Sequence, residues 1–227
     1  MPRSSSQERP YHHGDLHRAI VKAALEILAE TQSLEFSLRE LARRAGVSHN
    51  APYKHFADKR ELFAAVSAAG FDMLTKRMAR EIAGLSDARE QLFAMLRAYI
   101  DQGVENPALY NLMFGGYLSG PDRSRPAIEL AEANKTKAML ADVIIAGGLG
   151  RAIPHTPRNE RKIAGALLAC WSLVHGLTLL LADGLVGPKK KSGPLADSLL
   201  QGLLDGLVAG LPALPPGTWL GPQLSTS

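Results

Sequence analysis

His49, Asn50, Tyr53, Lys54 and His55 fall within seven consecutive positions, and what they share is hydrogen bonding, not nucleophilicity. Imidazole, carboxamide, phenol and ammonium groups are donors and acceptors of the kinds that meet base edges and phosphate oxygens. Pro52 lies among them and is tolerated only near the first turn of a helix, so the helix that carries them must be short.

The flanking residues supply the elements that position this set. Ser37 and Glu40 have capping-box spacing, which predicts a helix starting at Leu38. Leu38, Leu41, Ala42 and Ala45 make one apolar face, with Arg39, Arg43 and Arg44 on the other side. Gly46 follows the last periodic residue and can take a left-handed stop, and Val47 reads as the apolar plug of the turn. Ser48 reads as the cap of the second short helix. Phe56 is expected to turn inward, and Asp58 with Glu61 repeats the cap spacing and opens a third helix. Residues 37–56 thus read as a helix-turn-helix, although a plain helical hairpin with a solvated basic face has the same pattern.

The charge distribution favours the nucleic-acid reading. The 227-residue chain has a formal net charge of +4, and +3 of it lies in residues 1–60, with five of the seven histidines. Positive potential therefore sits where the motif sits, as attraction to phosphates requires.

Other chemistry finds little support. G-x-S-x-G, H-E-x-x-H, a phosphate loop and a dinucleotide fingerprint do not occur, so no enzymatic activity and no cofactor are expected. His13 and His17 are four apart, and with His12 and Asp15 they raise the idea of a metal site. His12 and His13 lie at or before the helix start, however, and no cysteine is near, so no metal is expected. The single cysteine, Cys170, excludes an internal disulfide framework and lies in an apolar run as a small core residue. The N-terminal stretch has no apolar segment of the secretory kind, which fits a cytoplasmic location.

The remainder reads as helices. A first helix is expected over about 15–30 and a long one over about 58–83, the latter linking the motif to the rest. Others follow from 87 to 106, 107 to about 115, and about 125 to 146, the last ended by Gly147, Gly148 and Gly150. Residues 163–182 are twenty positions without a formal charge, long enough to span a membrane. Ser172, His175 and Thr178 interrupt the run, and a helix apolar all round can equally be buried in protein. A last helix is expected over 195–211, after a Gly-Pro-Lys-Lys-Lys loop read as solvated. Residues 1–10 read as a disordered arm and 212–227 as an irregular Pro-rich tail that Trp219 docks.

Aromatic and methionine side chains in the helical remainder suggest an adaptable cavity for an apolar or amphipathic molecule. The candidates are Phe71, Met78, Phe93, Tyr99, Tyr110, Met113, Phe114, Tyr117, Trp171 and His175. For each one singly, ordinary core is the competing reading. Trp171 and His175 are four apart and share a helix face, where His175 either lines the cavity or satisfies a buried polar group.

The stretches YHHGDL (11–16), SLRELARRAGVS (37–48), APYKHF (51–56) and DKREL (58–62) together resemble the tetracycline-repressor (TetR) family of bacterial regulators over residues 11–71. Trp171-x-x-x-His175-Gly176 also resembles the Trp-His-Gly subgroup of that family. The resemblance implies an all-α homodimer: a DNA-binding domain over 11–60 and a helical ligand-binding and dimerisation domain over 61–211. It implies phosphate contacts from Ser37, Tyr53 and Lys59, and base contacts from His49 and Asn50 with Lys54 nearby. Arg39, Arg43, Arg44, Ser48 and His55 complete the candidate DNA-binding set. It further implies a near-palindromic double-stranded operator, an effector-released repressor, and pairing of two chains through 163–182 and 195–211 in place of a membrane span. An activator of the same fold and a helical small-molecule binder without specific DNA affinity remain alternatives.

Overall fold

In the computed structural model, residues 13–119, 125–150, 152–154, 156–186 and 192–209 are described; the side chains of 13–15, 158, 192 and 208–209 are not. The arm, Tyr11, His12, the lysine triplet and the tail with Trp219 lie outside the described residues.

Among the described residues the fold is all-α, with nine α-helices and no strand. They are α1 (His13–Thr31), α2 (Leu38–Arg44), α3 (Ala51–His55), α4 (Lys59–Ile82), α5 (Ala88–Glu105), α6 (Pro107–Phe114), α7 (Ala127–Val143), α8 (Pro157–Ala182) and α9 (Ser192–Ala209). A 3-10 turn, Gly116–Leu118, follows α6, and a π-helical turn, Ile144–Gly148, ends α7.

Local chemistry accounts for most boundaries. The side chains of Ser37, Asp58 and Asp87 accept from the amides of Glu40, Glu61 and Glu90 at 3.1, 2.8 and 2.9 Å, opening α2, α4 and α5. Gly46 adopts φ +67°; its amide donates to the Arg43 carbonyl, and the Val47 amide to that of Ala42. This paired closure ends α2 in a Schellman turn and aims α3. The expected helix over 125–146 is shorter: Pro126 fixes its start, and the π turn, with Gly147 at φ +121°, takes its last residues. Conversely, α1 begins two residues earlier than expected and α8 six residues earlier, behind Pro157 at its first turn.

α4 runs through the middle. Its first half, from Leu62 to Ala68, is buried on every side, and it packs against α1, α5, α6 and α7. α5 in turn packs against α8 and α9. Ion pairs brace that layer: Arg97 bonds Asp101 and Asp197 at 3.0 and 2.5 Å, and Arg89 pairs with Asp205.

Within α8, residues 159–182 are long and apolar enough to cross a membrane, and 44% of the most apolar stretch is buried against the rest of the chain. The buried side, including Ala166, Cys170, Val174 and Leu181, is core. The outer side exposes Trp171 and Leu180, and α9 beside it exposes Leu195 and Leu199. One chain therefore leaves an apolar two-helix face uncovered.

Candidate DNA-reading surface and effector site

The short α3 has Pro52 in its first turn, as Pro52 requires, and buries Ala51 and Pro52 inward. Phe56 is buried and its ring lies 4.7 Å from that of His17 on α1, which fixes the far end of α3. Ser48 does not cap this helix. Asn50 occupies the cap position with no side-chain hydrogen bond, and the Ser48 carbonyl accepts from the Ala51 amide. His49 and Asn50 consequently lie in the turn before α3, not in its first turn, with side chains free of capping duty and exposed.

Tyr53, 61% exposed, and Lys54 project from α3, and Ser37, Arg39, Arg43 and Ser48 are exposed around them. Three members of the expected set are more deeply engaged. Arg44 bonds Glu30 of α1 at 2.5 Å, which holds that carboxyl below the usual range. Lys59 turns back toward the α1–α2 loop: its Nζ donates to the carbonyls of Leu34 and Phe36 at 3.2 and 3.3 Å and lies 5.2 and 5.1 Å from the Phe36 and Phe63 ring centres. That ammonium braces the reader against α4. His55 is half-buried beside His17; burial and the nearby His55 lower the His17 pKa, with Glu61 opposing.

The second candidate set divides. Tyr99 (α5), Tyr110 and Phe114 (α6), and Trp171 and His175 (α8) meet in one cluster. The Tyr110 hydroxyl lies 2.5 Å from His175 Nδ1, the Tyr99 hydroxyl 3.2 Å from the same nitrogen and 3.0 Å from the Tyr110 hydroxyl, and Trp171 Nε1 donates to Tyr99 at 3.2 Å. Burial lowers the His175 pKa, which favours a neutral ring. A neutral ring accepts a hydrogen bond at Nδ1 from the Tyr110 hydroxyl, and this orders the donors as Trp171 to Tyr99 to Tyr110 to His175. Burial also pushes the Tyr110 phenol up to about 12 and Tyr99 higher still.

Phe71 joins the edge of this cluster through Phe114 at 5.2 Å, and Met113 packs under Gly70 of α4. Tyr117 does not: it is 51% exposed and packs on Phe63, nearer the reader. Met78 is ordinary core, and Phe93 is partly buried against the core without a ring partner in the cluster. The packing at the cluster is close. A Cβ on Gly103 would come within 2.2 Å of Thr178 and 2.7 Å of Tyr110. A cavity of about 330 Å3 lies elsewhere, between α1, α4 and α7, floored by Val21, Leu25, Ala65 and Ala68.

Sequence reasoning missed two polar anchors. Arg60 donates to the Leu118 carbonyl at 2.8 Å, and the buried Glu129 accepts from Ser67 and pairs with Arg125. The i,i+4 spacing of Arg125 and Glu129 was legible; the burial of Glu129 was not, because the α7 pattern alone does not say which face meets α4.

A short exposed helix held by a Schellman turn, joined through one long central helix to an all-helical body, defines a helix-turn-helix protein with a separate helical domain. A family model described as bacterial regulatory proteins, tetR family, matches residues 20–66, and one described as tetracyclin repressor-like, C-terminal domain, matches residues 92–203. The chain belongs to the TetR family. It is 31% identical over 100 residues to the HTH-type transcriptional activator FasR of Mycolicibacterium smegmatis, a match covering 44% of this chain and 46% of that relative. A solved protein of unknown function from Rhodococcus sp. RHA1 is 27% identical, with TM-score 0.66, over 90% of this chain and 99% of that one. A putative transcriptional regulator from Pseudomonas aeruginosa PAO1, 19% identical with TM-score 0.62 over 88% of this chain and 94% of its own, shares the fold.

Proposed function

We propose that this chain is an effector-responsive transcriptional repressor that binds a near-palindromic operator as a homodimer in the cytoplasm. The observation that carries the reading is the exposed group of Asn50, Tyr53 and Lys54 on and before a short helix whose other face, Ala51 and Pro52, is buried. Regulators of the TetR family bind DNA and dimerise, and they are generally not enzymes. Two-fold symmetry then sets two recognition helices against two half-sites.

In this reading Ser37 and Tyr53 hold phosphates, His49 and Asn50 meet base edges, and Lys54 serves either. Lys59 acts chiefly by bracing the reader, given its two carbonyl partners. The uncovered face of α8 and α9 pairs two chains, so that the apolar run 163–182 meets protein and not lipid. The effector is an apolar or amphipathic small molecule that parts the Tyr99, Tyr110, Phe114, Trp171 and His175 cluster, a site that opens only in a minor conformation. DNA and effector would then favour different placements of α4, the coupling that allostery requires.

Activation in place of repression is the second reading, supported by the 31% match to an activator. The test is retention of fragmented genomic DNA at roughly physiological salt, followed by a reporter carrying the retained sequence. A palindromic motif with lower reporter output supports repression, and higher output supports activation. Weak retention without sequence preference, together with small-molecule affinity, would sink both and leave a ligand-binding protein.

A further inference from the structure

Among the described residues, α4 packs along α7 more extensively than any other two helices pack together. Two polar rungs interrupt the contact. Ser67 Oγ donates to Glu129 Oε1 at 2.7 Å, and the Thr75 and Thr136 hydroxyls bond each other at 2.7 Å. Ser67 is fully buried, Glu129 is 1% exposed and Thr136 is buried as well. The rungs lie about two turns apart on each helix, so α4 and α7 run in the same direction and are pinned together at both points.

The first rung reaches further. Arg125 pairs with the Glu129 carboxylate and donates to the Met113 carbonyl at 2.6 Å, in the last turn of α6. One buried carboxylate thereby joins α4, α6 and α7. Buried ion pairs are poor sources of stability, since desolvating both charges offsets their attraction, and their best-attested use is to select one register. Here a slip of one helical turn, roughly 5.4 Å, would break both rungs and strand a buried carboxylate.

We propose that Ser67, Glu129 and Arg125, with Thr75 and Thr136, are positioning residues that fix the axial register of α4 and through it the placement of the reader. The connection to the reader is short. Lys59, at the start of α4, holds the Leu34 and Phe36 carbonyls, and Arg60 holds the Leu118 carbonyl. The register of α4 is therefore passed by hydrogen bonds to the α1–α2 loop that leads into α2, and by Arg60 to the turn after α6. This inference rests on the DNA-binding reading for its operator measurement, and the distance measurement below is independent of it.

The test compares wild type with a triple variant, Ser67→Ala, Thr75→Val and Glu129→Leu, which makes the first rung apolar and removes one hydroxyl of the second, Thr136 keeping the Glu132 carbonyl as acceptor at 3.5 Å. Arg125, about a quarter exposed, can turn to solvent once its carboxylate is gone. Three quantities are read: the thermal midpoint, affinity for the DNA retained by wild type, and the spin-label distance distribution within one protomer between His49→Cys and Lys135→Cys, the native Cys170 being buried. The expected result is a folded variant with a midpoint at or above wild type, affinity reduced about tenfold, and a broadened or shifted distance distribution. A folded variant with wild-type affinity and distances would overturn the proposal and leave the rungs merely structural. If the triple variant does not fold, Glu129→Gln, which keeps the Ser67 contact and removes the charge, is expected to broaden the distances and lower affinity severalfold; no change in either overturns the proposal. If wild type itself retains no DNA, the functional reading fails, and the distance distribution alone decides whether the rungs set the register.

Discussion

The reader and the body handle polar side chains in opposite ways. Around α3, His49, Asn50, Tyr53 and Lys54 face outward, and the turn geometry that holds them does not depend on them. Around α6, the polar atoms of Tyr99, Tyr110, Trp171 and His175 bond one another, and among the described residues no buried side-chain donor or acceptor lacks a partner. The first region holds its hydrogen-bonding capacity for something outside the chain. The second has used its capacity internally, so a molecule entering there must replace bonds and not merely fill space. Stability and recognition are thus separable in the reader and entangled in the body.

The sharpest way to break that contrast is in the reader. Asn50→Ala with Tyr53→Ala is expected to lower operator affinity on the order of a hundredfold, at about 1–3 kcal/mol per lost contact, while stability stays within about 0.5 kcal/mol. Electrophoretic mobility shift and a thermal melt on the same sample check both halves. A large loss of stability would mean that these side chains are part of the fold.

A smaller effect is expected in the body. Tyr110→Phe removes the hydroxyl nearest His175 Nδ1 and should cost about 1–2 kcal/mol by urea unfolding. Operator affinity should change little in the folded fraction. If Tyr110→Phe is neutral in stability, the cluster is looser than its distances imply.

The smallest effect concerns pH. Burial lowers the His175 pKa in the folded chain, whereas the unfolded imidazole titrates near 6.5. The unfolded state then takes up the proton first. This contribution to stability is fully present above about pH 6.5 and is lost as pH falls toward and through the lowered folded value. His17, shifted the same way, contributes in the same direction. Melting midpoints from pH 8 to 5 should decline, and the decline should shrink in His175→Gln.

Legibility of the sequence followed the range of the interactions. Ser37, Asp58, Asp87 and Gly46 act on backbone within a few residues, and the helix starts and the turn they encode are where their spacing places them. Ser48 failed as a cap because a local rule competes with another local rule: with Ser48 as cap, Pro52 would be the fourth helical residue and would lack the amide hydrogen that must bond the cap carbonyl, and the helix starts at Ala51 instead. The reader's side-chain set was readable by type, but the bonds Lys59 makes within the chain were not. Its carbonyl partners, Leu34 and Phe36, are brought to it by the packing of α4 on the α1–α2 loop. In the body, the four-residue spacing of Trp171 and His175 showed that they share a face, while their meeting with Tyr99 and Tyr110 depended on three helices crossing. Tyr117 shows the converse, an aromatic next to α6 in sequence that packs toward the reader.

In the proposed dimer, the uncovered apolar face of α8 and α9 would tie the fate of each molecule to its abundance. Where two such faces close on each other, folding and pairing share one equilibrium, and the melting temperature climbs with protein concentration. Dilution then acts as a denaturant. A cell holding few copies would keep a larger share of them as single chains with Trp171, Leu180, Leu195 and Leu199 in water, open to proteolysis, and so the number of molecules would help set how long each one lasts.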